Sequence, residues 1–375
     1  MNNKSAIVVG AGILGLATAR SLAEKGYAVT VIERSQFSLG ASVRNFGMLW
    51  PVGQPDGKLY NRAVRTKEIW LDYLHAAEIP YNACGSLHLA YCKEEMSVVE
   101  EIGSFFKSKN RPVSVISKQT VLDNYNGINS DGLIGALRSE DEAIIDPREG
   151  IRKLPSYLSE KYNVQFIWGT AITSVTSNAA FAGKTKYSAD MICVCSGADF
   201  ETLYPAQFKQ QPIIKTKLQM MRFKHKDPTY RIGASICGGL SLLHYKSFTA
   251  SSSLTKLRMK IEEEIPEYFK YGIHVMVSQN NEGELTVGDS HEYALDFDPF
   301  DKIEINNMIL EYLKKLIHID QWEMIQSWNG VYPIMTNGAT DLFLNPEPGV
   351  YILNGIGGHG MTMSFGFAEE MVNTI

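Results

Sequence analysis

The 375-residue chain has no apolar run long enough to span a bilayer, no internal repeat and no low-complexity linker. It carries only five cysteines, Cys84, Cys92, Cys193, Cys195 and Cys237, scattered and without a Cys-x-x-Cys pair. That excludes a disulfide framework and a thiolate zinc site, so a reduced, cytoplasmic protein with no metal centre is expected. The net charge of −5 leaves no basic footprint for nucleic acid. The first apolar run begins after about five residues, which leaves no room for a signal peptide, and no membrane insertion is expected. What remains is a globular composition, 45% hydrophobic and 21% charged, with length for two domains.

The chain is organised around its first 34 residues. Ala6-Ile7-Val8-Val9 reads as a buried strand, and Gly10-Ala11-Gly12-Ile13-Leu14-Gly15 as a glycine turn. Residues 16–25 then follow a helical pattern closed by Gly26, and Ala28-Val29-Thr30-Val31-Ile32 is a second strand ending at Glu33 and Arg34. Gly10 permits the tight turn, Gly12 lets the backbone approach a pyrophosphate, and Gly15 lets helix and sheet pack closely. The N–H groups at the helix start, around Ile13 and Leu14, favour phosphate, and Glu33 can accept from a ribose. A glycine turn in an ordinary α/β protein is the plainer reading, but the whole unit in register, with its acid, points to a dinucleotide. The unit alone leaves FAD and NAD open.

A second glycine-rich junction lies at the other end of the chain. The strand Gly349–Asn354 runs into Gly355-Ile356-Gly357-Gly358-His359-Gly360-Met361-Thr362, with a helix from about 364. Glycines there let the chain pass against a flat ring, and a helix N-terminus favours negative charge on it. A sequential NAD dehydrogenase does not need this second junction; a single FAD domain built from distant segments does.

Between the two ends, the irregular stretch 35–57 contains Ser42-Val43-Arg44-Asn45-Phe46-Gly47-Met48. Residues 60–78 and 93–108 read as helices, with Arg62 and Arg65 as solvated helix charges. Residues 85–90 and 135–138 read as strands, and Asp146-Pro147 opens a helix. Ile172 sits in a pair of short strands over 163–175, and the strand 189–195 ends in Ser196-Gly197-Ala198, where a small turn can pass close to the dinucleotide. From about 213 to 325, candidate strands are 218–223, 241–245, 273–279 and 284–288. His244-Tyr245-Lys246, Gly288–Tyr293 and Gly330–Pro333 could face a cavity. His88 reads as a strand histidine that packs or hydrogen-bonds, without a catalytic role.

These motifs resemble the FAD-dependent amine oxidoreductases related to glycine oxidase, sarcosine oxidase and D-amino-acid oxidase, the DAO family, over essentially the full length. Gly47-Met48-Leu49 matches a Gly-Met-Leu of glycine oxidases, and residues 42–48 resemble most closely a branch found with phosphonate-degradation enzymes. The resemblance implies an α/β protein: a Rossmann-like FAD-binding domain from the discontinuous segments 1–80, 146–212 and 326–375. An antiparallel-sheet substrate cap (α+β) would comprise 81–145 and 213–325. It implies non-covalent FAD, since no cysteine lies near Gly330 where sarcosine oxidases attach the flavin. Cofactor contacts are expected from Gly10, Gly12, Ile13, Leu14, Gly15, Glu33 and Arg34 of the first unit. The loop adds Ser42, Arg44, Asn45, Phe46, Gly47 and Met48, and the middle of the chain Ile172, Ser196, Gly197 and Gly330. The last junction adds Gly357, Gly358, His359, Gly360, Met361 and Thr362. Arg44 reads equally well as a surface loop arginine.

The implied chemistry is oxidative deamination of a small primary or secondary amine by hydride transfer to the flavin and imine hydrolysis, the substrate an aminophosphonate or its N-methyl derivative. His291, Tyr245 and Tyr332 are the candidate catalytic residues, and Arg44, His244 and Lys246 candidates for an anionic end. Tyr332 stands where glycine and D-amino-acid oxidases carry a carboxylate-binding arginine, which argues against a plain α-amino acid. Thr286 replaces the lysine of sarcosine oxidases, which leaves oxygen or another acceptor open. The rivals are a sarcosine- or glycine-type oxidase or dehydrogenase, an enzyme of a modified tRNA base, an NAD dehydrogenase, and a non-catalytic flavin subunit of a larger complex.

Overall fold

The computed structural model of the chain describes residues 4–375, so the first three residues of the segment 1–80 lie outside it. Two sheets dominate. The first has six strands in the order Leu342–Glu347, Val350–Asn354, Met191–Val194, Ser5–Val9, Ala28–Ile32, Gln165–Ile167. All neighbours are parallel except the first pair. Its strands are near-continuous apolar runs because both faces are covered, one by helices and the other by the small three-stranded sheet of residues 174–188 together with Phe200, Leu203 and Phe208. The helix Ile13–Glu24 lies against the C-terminal helix Gly360–Val372, which also packs on Lys58–Ala76.

The first helix begins at Ile13, three residues before the sequence pattern places it, because Leu16 N already donates to Gly12 O at 2.9 Å. The C-terminal helix likewise starts at Gly360 rather than near 364. In both, glycines masked the first helical turn.

The second sheet is larger, and the long strands Ile213–His225 and Trp322–Met335 form its longest ladder. It is antiparallel apart from Ser235–Cys237, which runs parallel to Ser86–Ala90. Residues 241–245, expected as a strand, belong instead to the short helix Gly239–His244 and the turn after it. Leu240 and Leu242 are buried there, and Leu240 N donates to Tyr312 Oη, so packing overrides a short ambiguous pattern. The sequence-derived boundary at 325/326 falls inside the strand Trp322–Met335. A small sheet of Met48–Leu49, Ala143–Ile145 and Tyr81–Asn82 joins the two large ones.

Two buried polar side chains hold this arrangement in different ways. Arg62 is not a solvated helix charge: it is 5% exposed and pairs with Asp341 at 2.5 Å and Glu370 at 2.7 Å, tying the second helix to the C-terminal one. Arg65 stays on the surface, paired with Glu369 and Glu68. His88 is fully buried between the rings of Trp50 and Phe248, and neither ring nitrogen has a hydrogen-bond partner among the described residues. Burial holds it neutral and pushes its pKa from 6.5 down to about 3.

Arg62→Ala is expected to cost about 3 kcal/mol of stability, because both acids lose a buried partner; a urea midpoint close to that of the parent would contradict this. For His88, the unfolded chain binds the more protons between pH 6.5 and 3, so stability falls as the pH drops through that window. His88→Leu should therefore remove about 2 kcal/mol of the stability lost between about pH 6.5 and 4.5. An acid limb of the same slope in parent and variant would refute it.

Candidate active site

Two adjoining cavities lie at the carboxyl end of the parallel sheet, where the two large sheets meet. The inner one is lined by Gly10, Gly12, Glu33, Arg34, Ser42, Thr170, Ile172, Ser196 and Gly197. The other is lined by Gly12, Ile13, Leu14, Gly15, Ser42, Arg44, Asn45 and Phe46 on one side. Its far wall carries His244, Tyr245, His274, Asp289, His291, Gly330 and Tyr332, and the C-terminal junction Gly357–Met361 closes it. Gly12, Ser42 and Gly197 line both, so the cavities run together.

Close backbone contacts make the inner end. Gly10 has φ +104°, and a Cβ on it would sit 2.5 Å from the Cys195 carbonyl oxygen; one on Gly15 would sit 1.9 Å from the Gly10 carbonyl oxygen. Glu33 accepts from Ala11 N at 2.8 Å and Ser35 N at 2.9 Å. Ser42 Oγ accepts from Ile13 N at 2.9 Å, and Asn45 donates to the carbonyls of Ala41 and Ser42. Arg34 is ion-paired with Asp199.

Of the residues singled out from sequence, four do not line the two cavities. Gly47 turns the chain at φ +71° beneath the Ile145 carbonyl. Met48 pairs with Ile144 in the joining sheet, and Thr362 accepts from Trp50 N at 3.0 Å; both border a small adjacent void. Lys246 is exposed and donates to the Gly338 carbonyl at 3.1 Å. Arg44 sits at the rim, its Nη1 3.2 Å from the Asn329 carbonyl.

Sequence reading missed His274, and it placed Asp289 in the cavity-facing stretch Gly288–Tyr293 without giving it a role. They exchange backbone hydrogen bonds, His274 N to Asp289 O at 3.2 Å and Asp289 N to His274 O at 3.1 Å, at the end of the hairpin formed by Met276–Gln279 and Leu285–Gly288. His274 looked like part of a strand, and only the register of this hairpin brings it to the acid. His244 stacks on His274 with ring centroids 3.7 Å apart, and His291 lies 5.0 Å and 5.3 Å from the two. Burial drives the chemistry of this wall. It raises the Asp289 carboxyl to about 6 and holds His274 well below the usual histidine range. The phenols of Tyr245 and Tyr332 are pushed well up by the same burial, with the nearby Asp289 adding to it. His359, 3.0 Å from Gln54 Nε2 through its Nδ1, is lowered to about 4, chiefly by burial.

A parallel sheet with a glycine turn, an acid at the tip of its second strand and a long cavity at its carboxyl end defines a dinucleotide-dependent oxidoreductase. The family model "FAD dependent oxidoreductase" (DAO) matches residues 5–374, and the chain belongs to that family. FAD is its cofactor. Glycine oxidase from Geobacillus kaustophilus superposes with a TM-score of 0.78 at 16% identity, covering 99% of this chain and 94% of that one. L-proline dehydrogenase from P. horikoshii gives 0.79 at 18% identity, covering 99% and 92%. The Pseudomonas entomophila tRNA 5-methylaminomethyl-2-thiouridine biosynthesis bifunctional protein MnmC is 32% identical over 108 residues, which is 28% of this chain and 16% of that protein. The curated relatives are matched over only 13% to 34% of their own lengths.

The cradle fits the cofactor. A Cβ on Gly12 would lie 3.2 Å from Ser42 Oγ, at the wall common to both cavities. Gly12→Val is therefore expected to yield folded protein that has lost nearly all flavin absorbance; a variant as yellow as the parent would contradict this placement.

Proposed function

We propose that the chain oxidises a small primary or secondary amine with an anionic end, the preferred class being an aminophosphonate and its N-methyl derivative. The observation that carries this reading is the convergence of Arg44, His244, His291, Tyr245 and Tyr332 on one cavity backed by both glycine junctions. In this reading residues 1–80, 146–212 and the end of the chain form the FAD-binding part, and 81–145 with the larger sheet forms the cap. Gly10, Gly12 and Ser42 would hold the pyrophosphate of FAD, and Glu33 and Ile172 its adenosine. Binding is non-covalent: the cysteine at the cavity, Cys195, is buried, and burial pushes its thiol up to about 12.

When bound, FAD supplies the acceptor for the hydride from the carbon next to the amine. The chain's own residues orient and desolvate. The enclosed wall of Tyr245, Tyr332 and His291 favours the free amine over the ammonium, because burial penalises charge. His291 and Tyr245 orient that amine, and the phenol of Tyr332, held protonated, is a hydrogen-bond donor. Arg44 at the rim and His244 take the anionic end, since guanidinium matches phosphonate geometry. Lys246 takes no part while it stays on the Gly338 carbonyl. Water then hydrolyses the imine to a carbonyl compound and an amine.

The names of the similar proteins support the amine class: glycine is a primary amine, proline a secondary one, and the MnmC name carries a methylaminomethyl group. The test is steady-state turnover with an artificial electron acceptor. The expected order places 2-aminoethylphosphonate or its N-methyl derivative at least about tenfold above glycine and sarcosine in kcat/KM, with Arg44→Ala raising KM more than it lowers kcat. Equal or higher values for glycine or sarcosine overturn the phosphonate reading.

A further inference from the structure

The mechanism above leaves Asp289 and His274 without a task, and they belong to a cluster. Among the described residues His244, His274 and His291 place their ligand nitrogens within 4.8 Å of one another. Asp289 joins them: its Oδ1 lies 3.1 Å from His274 Nε2 and its Oδ2 3.9 Å from His291 Nε2. The carboxylate is 5% exposed, and Oδ1 lies against the His274 ring at an angle that makes no hydrogen bond. A buried carboxylate atom left unpartnered is costly, and an ion or proton is the ordinary remedy.

The His291 tautomer suits an ion. His291 Nδ1 is 3.0 Å from the Gly272 carbonyl, an acceptor only, which puts the proton on Nδ1 and leaves the Nε2 lone pair toward the cluster. A carbonyl or carboxylate behind a ligating imidazole is the usual arrangement at metal centres. The backbone under His274 and Asp289 is already pinned by their reciprocal hydrogen bonds. Three neutral imidazoles with one carboxylate oxygen are the donors that zinc takes at about 2.0–2.1 Å, with ligand atoms a little over 3 Å apart. The most separated nitrogens need to close by up to about 1.5 Å to reach that spacing.

We propose that His244, His274 and His291, with Asp289, bind a divalent cation, zinc by its donor set, in the wall of the substrate cavity. The three histidines come from separate segments, so the expectation of no metal, drawn from cysteine spacing, does not touch this cluster. On the substrate reading above, the cation anchors the anionic end of the amine beside Arg44; in the loaded protein His244 and His291 then act on the substrate through the cation, and Tyr245 alone contacts the amine directly. Cation binding itself does not rest on that reading.

The test uses the FAD-loaded full chain, stripped with a chelator and titrated with Zn2+ against a chromogenic competitor, followed by X-ray absorption on the zinc-loaded protein. One zinc per chain and three imidazole ligands are expected. His274→Ala and His291→Ala should each weaken binding at least about 100-fold, and Asp289→Asn about 10–100-fold, with flavin absorbance retained. The absorption measurement needs no variant, so a misfolded variant leaves the test intact. No stoichiometric zinc, or a zinc with fewer than two imidazoles, overturns the site. Zinc bound as described to a protein that oxidises no anionic amine upholds the site while the substrate reading fails. Equal KM for the phosphonate in stripped and loaded enzyme overturns the anchoring role.

Discussion

The close approach of Gly15 to the Gly10 carbonyl, and of Gly10 to Cys195, sets where everything else can be. A side chain at either glycine would overlap backbone, at 1.9 Å and 2.5 Å. The turn can therefore seat the first helix directly on the strands Ser5–Val9 and Ala28–Ile32, and the N-terminus of that helix opens at the carboxyl end of the sheet. The C-terminal junction reaches the same place because Val350–Asn354 adds parallel to Met191–Val194. Two loops more than 300 residues apart thus share one cavity, and the larger sheet has only to roof it.

That roof is where polar chemistry is stored. Its lining combines four histidines, three tyrosines and one carboxyl group, and burial rather than pairing holds His274, His359, Tyr245 and Tyr332 neutral. A cavity of this kind suits a substrate amine that must lose its proton before it reacts. It is equally suited to hold a ligand that brings its own charge. The rim arginine Arg44 and the Arg34–Asp199 pair lie outside this neutral zone.

Much of the first sheet was legible because its signals are local. Strand, turn, helix and strand follow one another between Ser5 and Ile32, and glycine spacing marks both junctions. The cavity around Tyr245, His291 and Tyr332 could be assembled from resemblance, although Gly239–His244 proved helical. His274, and its pairing with Asp289 of the cavity-facing stretch Gly288–Tyr293, could not be found, because only the hairpin register makes the two neighbours. Arg62 was misjudged for a similar reason: its acids, Asp341 and Glu370, lie near the far end of the chain. Non-local pairing, not weak propensity, separates what was read from what was not.

The central claim is that one FAD, held between the two glycine junctions, receives electrons from an amine bound against the histidine–tyrosine wall. The most direct measurement is the visible spectrum of the purified protein before and after anaerobic addition of glycine, sarcosine, 2-aminoethylphosphonate and its N-methyl derivative in turn. The account predicts an oxidised-flavin spectrum that bleaches with an aminophosphonate. A flavin-loaded protein that none of these amines bleaches, or a protein that takes up no FAD, would contradict it.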